Sequence, residues 1–284
     1  VMQIEVLDDH KCSLGEGPLW HPKTGDFFWF DIDKKLLLKR SGTSTAQIQF
    51  DRHVSAAGWL DEQNLLVADE FGLFQFNHLT KEETRIADIE NDNPITRSND
   101  GRADPFAGFW IGTMGKNAEP ESGAIYRYYR GEVRQLFDKI SISNSICFSP
   151  DGEYAYFTDT VTKKIMRQAL DKVHGWPVGE AELFADLSGD NLNPDGSIVD
   201  ANGNLWNAQW GAGRVAQYAK DGSFLRAIEF PASQITCPAF GGDNLDQLIV
   251  TSAKIGLGDK EELAGCTFSV SLNVKGQNEH QVVL

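Results

Sequence analysis

Ser149-Pro150-Asp151-Gly152-Glu153-Tyr154-Ala155-Tyr156-Phe157-Thr158-Asp159 is the stretch that decides the fold. A turn-forming tetrapeptide leads into a short aromatic and β-branched run that ends on a polar residue, the signature of a turn feeding a strand. The same phrase occurs five more times. Lys23-Thr24-Gly25-Asp26 leads into Phe27–Asp31, and Asp61-Glu62-Gln63-Asn64 into Leu65–Asp69. Asp104–Gly108 leads into Phe109–Thr113, Asp200-Ala201-Asn202-Gly203 into Leu205–Gln209, and Gly242-Asp243-Asn244 into Leu248–Ser252. The runs end at 31, 69, 113, 159, 209 and 252, so the steps are 38, 44, 46, 50 and 43 residues. A turn-plus-strand unit repeating every 40 to 50 residues or so is a propeller blade. The repeats predict an all-β, six-bladed β-propeller, with any functional site in the central channel where the blades converge.

No Pro/Ser/Gly-rich linker or low-complexity tract divides the 284 residues, so residues 1–284 read as a single propeller domain. Val6–Leu7, Cys266–Val274 and Gln281–Leu284 are β-prone, and the last blade is expected to be closed by strands from both chain ends, which leaves no free edge. Lys163–Leu170 has helix-forming composition, but its place after Phe157–Asp159 makes it the next strand of that blade. Ile255–Glu262 is expected to form a short helical turn.

The net charge of −15 argues against nucleic acid or an anionic membrane as partner. No apolar run reaches the ~20 residues of a membrane span, and no basic, then apolar, leader is visible at the N-terminus. Cys12, Cys147, Cys237 and Cys266 are scattered without C-x-x-C spacing, which fits reduced thiols in a cytoplasmic protein. Cys147 and Cys237 lie in apolar contexts and read as buried small hydrophobes.

Three polar clusters interrupt the apolar patterning near blade starts. They are Gly15-Glu16-Gly17-Pro18, Ser143-Asn144-Ser145 and Asn193-Pro194-Asp195-Gly196. Each has an ordinary reading: Glu16 as an exposed loop carboxylate, Asn144 as a turn cap, Asp195 as part of a Pro-Asp-Gly turn. Their registration speaks for a shared site. Asn144 precedes Gly152 by 8 residues, Asp195 precedes Gly203 by 8, and Glu16 precedes Gly25 by 9. Equivalent offsets in equivalent repeats place the three at the channel end of inner strands, as a hard oxygen donor set for a divalent cation. A fourth cluster, Arg97-Ser98-Asn99-Asp100-Gly101, sits at a similar offset and offers a guanidinium and an amide to a polar ligand. Its ordinary readings are a surface ion pair for Arg97 and a turn for Asp100-Gly101. None of the six histidines falls in these clusters and no G-x-S-x-G is present, so a Ser-His-Asp hydrolase is not indicated.

Gly15-Glu16-Gly17-Pro18, Arg97-Ser98-Asn99-Asp100-Gly101, Gly112-Thr113-Met114, Ser143-Asn144, Ser149-Pro150-Asp151-Gly152 and Pro194-Asp195-Gly196 occur in that order along the chain. In them the sequence resembles the gluconolactonase/regucalcin (senescence marker protein)/luciferin-regenerating family over essentially its whole length, and is most similar to bacterial sugar-acid lactonases. The resemblance implies a six-bladed propeller with one divalent metal ion (Ca, Zn, Mg, Mn or Fe) held by Glu16, Asn144 and Asp195. It implies substrate contacts from Arg97 and Asn99, with Glu119 near a further substrate-facing position, and hydrolysis of an aldonolactone or sugar-diacid lactone with Asp195 as general base. The small-molecule lactone would be the partner of a monomer or weak homo-oligomer. A propeller esterase on other esters and a non-catalytic calcium-binding propeller are the alternatives. Ser145 stands where many members of that family have Gly, and its side chain is expected to crowd the site slightly.

Overall fold

In a computed structural model, described for residues 2–284, the chain forms six four-stranded antiparallel sheets arranged around one axis. The inner strands of blades 1 to 6 are Gly15–Trp20, Val54–Trp59, Thr96–Ala103, Ser143–Phe148, Asn193–Val199 and Ile235–Gly241. Each inner strand packs beside the inner strand of the next blade, and the sixth returns to the first. The repeated phrase of the sequence is the second strand of each blade: Phe27–Asp31, Asn64–Asp69, Phe109–Gly115, Tyr154–Asp159, Leu205–Trp210 and Gln247–Ser252. Blade 6 is completed by Thr267–Ser271 and by Glu5–Asp8 from the other end of the chain, which pair antiparallel.

The polar residue that ends the phrase has a structural task. Asp31 accepts from the backbone N–H of Ser13 (2.8 Å) and Leu14 (3.1 Å), just ahead of the first inner strand. Asp159 accepts in the same way from Ser141 (2.9 Å) and Ile142 (3.0 Å) ahead of the fourth. A buried carboxylate thus satisfies backbone donors that no ladder pairs and fixes how the chain enters the channel.

Both faces of every sheet are covered. Six apolar clusters occupy the six seams between neighbouring blades: Phe28, Phe30, Leu65 and Phe74 between blades 1 and 2, for example, and Trp206, Phe240, Leu248 and Phe268 between blades 5 and 6. Burial of that apolar surface in blade-to-blade contacts is the main stabilising term. One ion pair is wholly enclosed: Arg127 Nε donates to Asp104 Oδ2 at 2.7 Å with both side chains inaccessible. The guanidinium also lies 4.2 Å from the Tyr129 ring centre and 4.4 Å from that of Trp176. Arg127→Ala would leave Asp104 as an uncompensated buried charge, at a cost of about 3–5 kcal/mol. A thermal midpoint several degrees below that of the parent is the expected result; an unchanged midpoint would contradict it.

Lys164–Ala169 is a strand, as its position predicts. Ile255–Glu262 forms consecutive turns rather than a helical turn, and the one helical element among the described residues is the 3₁₀ turn Thr160–Thr162. Two glycines (Gly256 and Gly258, both at positive φ) break the helical conformation there. Gln281–Leu284 does not join a blade. It runs across the other blades, with a single parallel bridge from Gln281 to Trp59. No helix is long and apolar enough to cross a membrane.

Candidate metal centre

All six inner strands carry one extra residue relative to their partner strand at the same level. The register slips between Glu16 and Leu19, Val54 and Ala56, Ser98 and Gly101, Asn144 and Cys147, Pro194 and Ser197, and Ile235 and Cys237. A bulge breaks the in–out alternation of a strand and re-aims neighbouring side chains. Here six bulges form a ring around the axis, and the polar residues of interest sit at or beside them. Gly17 (φ 60°) and Ser145 (φ 62°) supply the left-handed backbone that two of these bulges need. At Gly17 a Cβ would also run into the Ser55 carbonyl oxygen.

Glu16, Asn144 and Asp195 are buried, with 4%, 3% and 6% of their surface exposed. That excludes an exposed loop for Glu16. Asp195 lies in a strand rather than in a Pro-Asp-Gly turn. Glu16 Oε2 and Asp195 Oδ1 have no hydrogen-bond partner among the described residues. Burial raises the pKa of both carboxyls, and for Glu16 the Asp195 charge raises it further. Asn144 Nδ2 donates to Thr160 Oγ1 (2.9 Å), so the amide is oriented with Oδ1 towards Asn99, whose Nδ2 lies at 3.3 Å. Thr160 Oγ1 in turn donates to the Pro194 carbonyl (2.7 Å), tying blade 4 to blade 5 next to Asp195.

Arg97 and Asn99 belong to the same network. Arg97 Nη1 donates to Asn99 Oδ1 (3.0 Å) and to the Ser98 carbonyl (2.8 Å), and Asn99 Nδ2 donates to the Ser143 carbonyl (2.7 Å). Arg97 is not in a surface ion pair: it is 8% exposed and, among the described residues, has no carboxylate within salt-bridge distance. Burial pulls its guanidinium down to about 10, with Glu16 the strongest opposing charge. Glu119 is placed differently. It is partly exposed on the loop after the second strand of blade 3, and its carboxylate accepts from the Asn117 N–H of its own loop at 3.2 Å. No hydrogen bond joins it to Arg97, Asn99, Glu16, Asn144 or Asp195 among the described residues. Ser145 does not crowd the centre. Its hydroxyl bonds the Asp195 carbonyl and accepts from Ser197 Oγ at 3.0 Å, so it braces blade 4 against blade 5.

Three channel residues carry signals that the sequence patterns did not separate. Asp100, whose Asp-Gly pair reads as a turn, is in the bulge of blade 3 and only 4% exposed. Its Oδ2 accepts from the Ile146 N–H at 2.7 Å, and burial pushes its carboxyl up to about 6 against the opposing charge of Arg102. Cys237 is buried, as its apolar context predicts, but it faces the axis. Ligand atoms of Glu16, Asp100 and Cys237 lie within 4.8 Å of one another. Burial, with Asp100 and Glu16 as the largest charges, raises the Cys237 thiol well above its ordinary pKa, which speaks against a reactive thiolate. Arg102, 8% exposed, completes the set.

The donor chemistry fits a divalent cation. Glu16, Asp100, Asp195 and Glu279 bring four carboxylates into the channel, and Arg97 and Arg102 bring two guanidiniums. The deficit is two positive charges, which one divalent ion makes up. Two orphaned carboxylate oxygens and an oriented amide oxygen are hard donors of the kind Ca²⁺, Mg²⁺ or Mn²⁺ accept.

Residues 14–254 match the family model described as the SMP-30/Gluconolactonase/LRE-like region. The chain is 39% identical over 282 residues to a Rhizobium meliloti protein provisionally named a sugar lactone lactonase, covering 96% of this chain and 95% of that one. It is 35% identical over 265 residues to the L-arabinolactonase of Azospirillum brasilense, covering 90% and 86%. Among solved structures, a calcium-binding protein, regucalcin, from Agrobacterium tumefaciens superimposes with a TM-score of 0.97 at 40% identity, covering 100% of this chain and 98% of that one. Propeller, ring of bulges and sequence likeness agree: the chain belongs to the SMP-30/gluconolactonase/LRE-like family.

Proposed function

We propose that the chain acts as one domain whose axial channel hydrolyses the internal ester of a sugar-acid lactone, with Glu16, Asn144 and Asp195 holding one divalent cation. The observation that carries this reading is the pair of buried, unpartnered carboxylate oxygens on Glu16 and Asp195, in a channel two positive charges short of neutrality. The sugar lactonases among its relatives supply the substrate class. When bound, the cation supplies Lewis-acid polarisation of an ester carbonyl and acidification of a water molecule.

The residues of the chain account for the remaining chemistry. Asp195 is the general base. Its carboxylate takes a proton from the attacking water as the new bond to the carbonyl carbon forms, and returns it to the ring oxygen as the ester bond breaks. The product is the open hydroxy acid, and atoms and protons balance. Arg97 and Asn99 orient the hydroxyls of the sugar; Arg97, buried without a carboxylate partner, offers free N–H donors to an oxygen-rich ligand. Glu119, at the rim, is the residue positioned to meet the more distant ring substituents. Water exclusion comes from the apolar seams around the channel.

Arg97→Ala is expected to raise KM on the order of tenfold or more while kcat falls less, because lost orientation acts mainly on binding. Steady-state kinetics on a good lactone substrate would show this, and equal losses in kcat with KM unchanged would contradict the assignment. The reading itself is tested by following ring opening of a panel of aldonolactones and sugar-diacid lactones beside simple aryl esters. Turnover of lactones above the spontaneous rate supports it, and turnover of aryl esters alone favours the esterase. The description of the Agrobacterium neighbour as calcium-binding favours a second reading, cation binding without hydrolysis. That reading would gain if Ca²⁺ bound and no ester of either class were opened.

A further inference from the structure

The chain does not stop at the rim of blade 6. After the last strand it turns beneath the propeller and crosses the far end of the axis. Gly276 bridges Asp200 in blade 5, and Gln277 Nε2 donates to the carbonyls of Phe148 and Val199, both at 3.0 Å, at the ends of the inner strands of blades 4 and 5. Trp59 Nε1 of blade 2 donates to the Glu279 carbonyl at 2.8 Å, and Val282 packs into the seam between blades 2 and 3. A gap of about 20 Å³, room for a single water molecule, remains between this strap and the blades, lined by Arg102, Cys147, Ile198 and Glu279 among others.

The Glu279 side chain turns inward from the strap and pairs with Arg102 Nη1. The other arms of that guanidinium reach the two neighbouring inner strands. Nε donates to the Ile146 carbonyl at 3.2 Å and Nη2 to the Ser197 carbonyl at 3.3 Å. Ile146 is two residues beyond Asn144, and Ser197 two residues beyond Asp195. Arg102 therefore joins the strands that carry two of the three cation-holding side chains, at equivalent places below each. The Ile146 peptide separates Arg102 from Asp100, giving its N–H to one and its carbonyl to the other.

We propose that the C-terminal strap is the floor of the metal channel, and that Glu279 sets cation affinity by neutralising the positioning residue Arg102. This rests on the reading that Glu16, Asn144 and Asp195 hold a divalent cation. Arg102 is required to space the two strands, yet an unopposed guanidinium beneath three carboxylates would compete with the cation for them. Glu279 cancels that charge from the far side, so the carboxylates above keep the two-charge deficit that the cation fills.

The test is calorimetric titration of metal-stripped full-length protein with Ca²⁺ and with Mn²⁺, for the parent, E279Q, E279D and the double variant R102M/E279Q, with a thermal midpoint for each. E279Q keeps an oxygen for Arg102 but loses the charge, and is expected to bind at least about tenfold more weakly. E279D keeps the charge and should stay within about threefold of the parent. R102M/E279Q removes one charge of each sign and is expected to recover most of the loss. A merely structural role would order the variants by disruption, with the double variant worst. The proposal is overturned if E279Q binds like the parent, or if E279D loses as much as E279Q; the second comparison decides even where the double variant does not fold. A parent that binds neither cation would overturn the metal reading as well, whereas normal parent binding with an indifferent E279Q would overturn this inference alone.

Discussion

An Asp195→Asn protein is expected to open a sugar-acid lactone about a thousandfold more slowly than the parent, with the loss in kcat. Asparagine keeps the size of the side chain and one oxygen for a cation, but it cannot take a proton from water. It also removes one of the four channel carboxylates, so the cation should bind more weakly. The two effects are separable. Rates at saturating cation isolate the loss of the base, and titration of the stripped protein gives the loss of affinity. The structure gives the reason to expect both from one residue, since Asp195 Oδ1 is buried and unpartnered and its carboxyl is shifted up mainly by burial. An Asp195→Ala protein that bound its cation normally and kept full activity would refute the base assignment.

Stripping the cation should make stability depend on pH in an unusual direction. Most carboxylates in folded proteins stabilise as pH rises, because the folded state favours their charged form. Glu16, Asp195 and Asp100 are shifted the other way, chiefly by burial. Between the ordinary carboxyl pKa near 4 and the raised folded values, the metal-free folded state holds protons that the unfolded chain has already released. Its stability is therefore greatest at and below about pH 4, where these three groups are protonated in both states, and is lost as pH rises through the folded pKa values. The shift of Asp100 to about 6 alone corresponds to about 3 kcal/mol. For a chain of this length that is a midpoint about 5 °C lower, and Glu16 and Asp195 add to it. The expected result is a thermal midpoint that falls between pH 4.5 and 8 in chelator and is restored at pH 8 by saturating cation. A stripped protein whose midpoint rose over that range, or ignored added cation, would contradict the arrangement of charges described above.

The fold was legible because its repeating unit is local. A turn, a short strand and a terminal Asp lie together in sequence, and the Asp is there for a local reason: Asp31 and Asp159 tie down the entry to their own blade. Glu16, Asn144 and Asp195 were legible through their offsets from that unit, which hold because every inner strand bulges at the same level. The bulges themselves need the partner strand to be seen. Asp100 was read as a turn because Asp-Gly in a bulge and Asp-Gly in a turn leave the same two letters. The Arg102–Glu279 pair spans 177 residues, and nothing near either residue announces the other. Ser145 illustrates a conformational signal overridden by packing. Its φ of 62° suits glycine, but its hydroxyl bonds to blade 5 hold the serine there.

The central claim is that the axial channel is a cation-dependent lactonase centre. It is tested most directly by proton release from a panel of aldonolactones and sugar-diacid lactones, using metal-stripped protein with single cations added back. The account predicts a rate near the spontaneous one without cation, a large acceleration with at least one divalent ion on at least one lactone, and loss of that acceleration in Asp195→Ala. Folded protein that accelerates no lactone with any cation, or that works equally well when stripped, would contradict it.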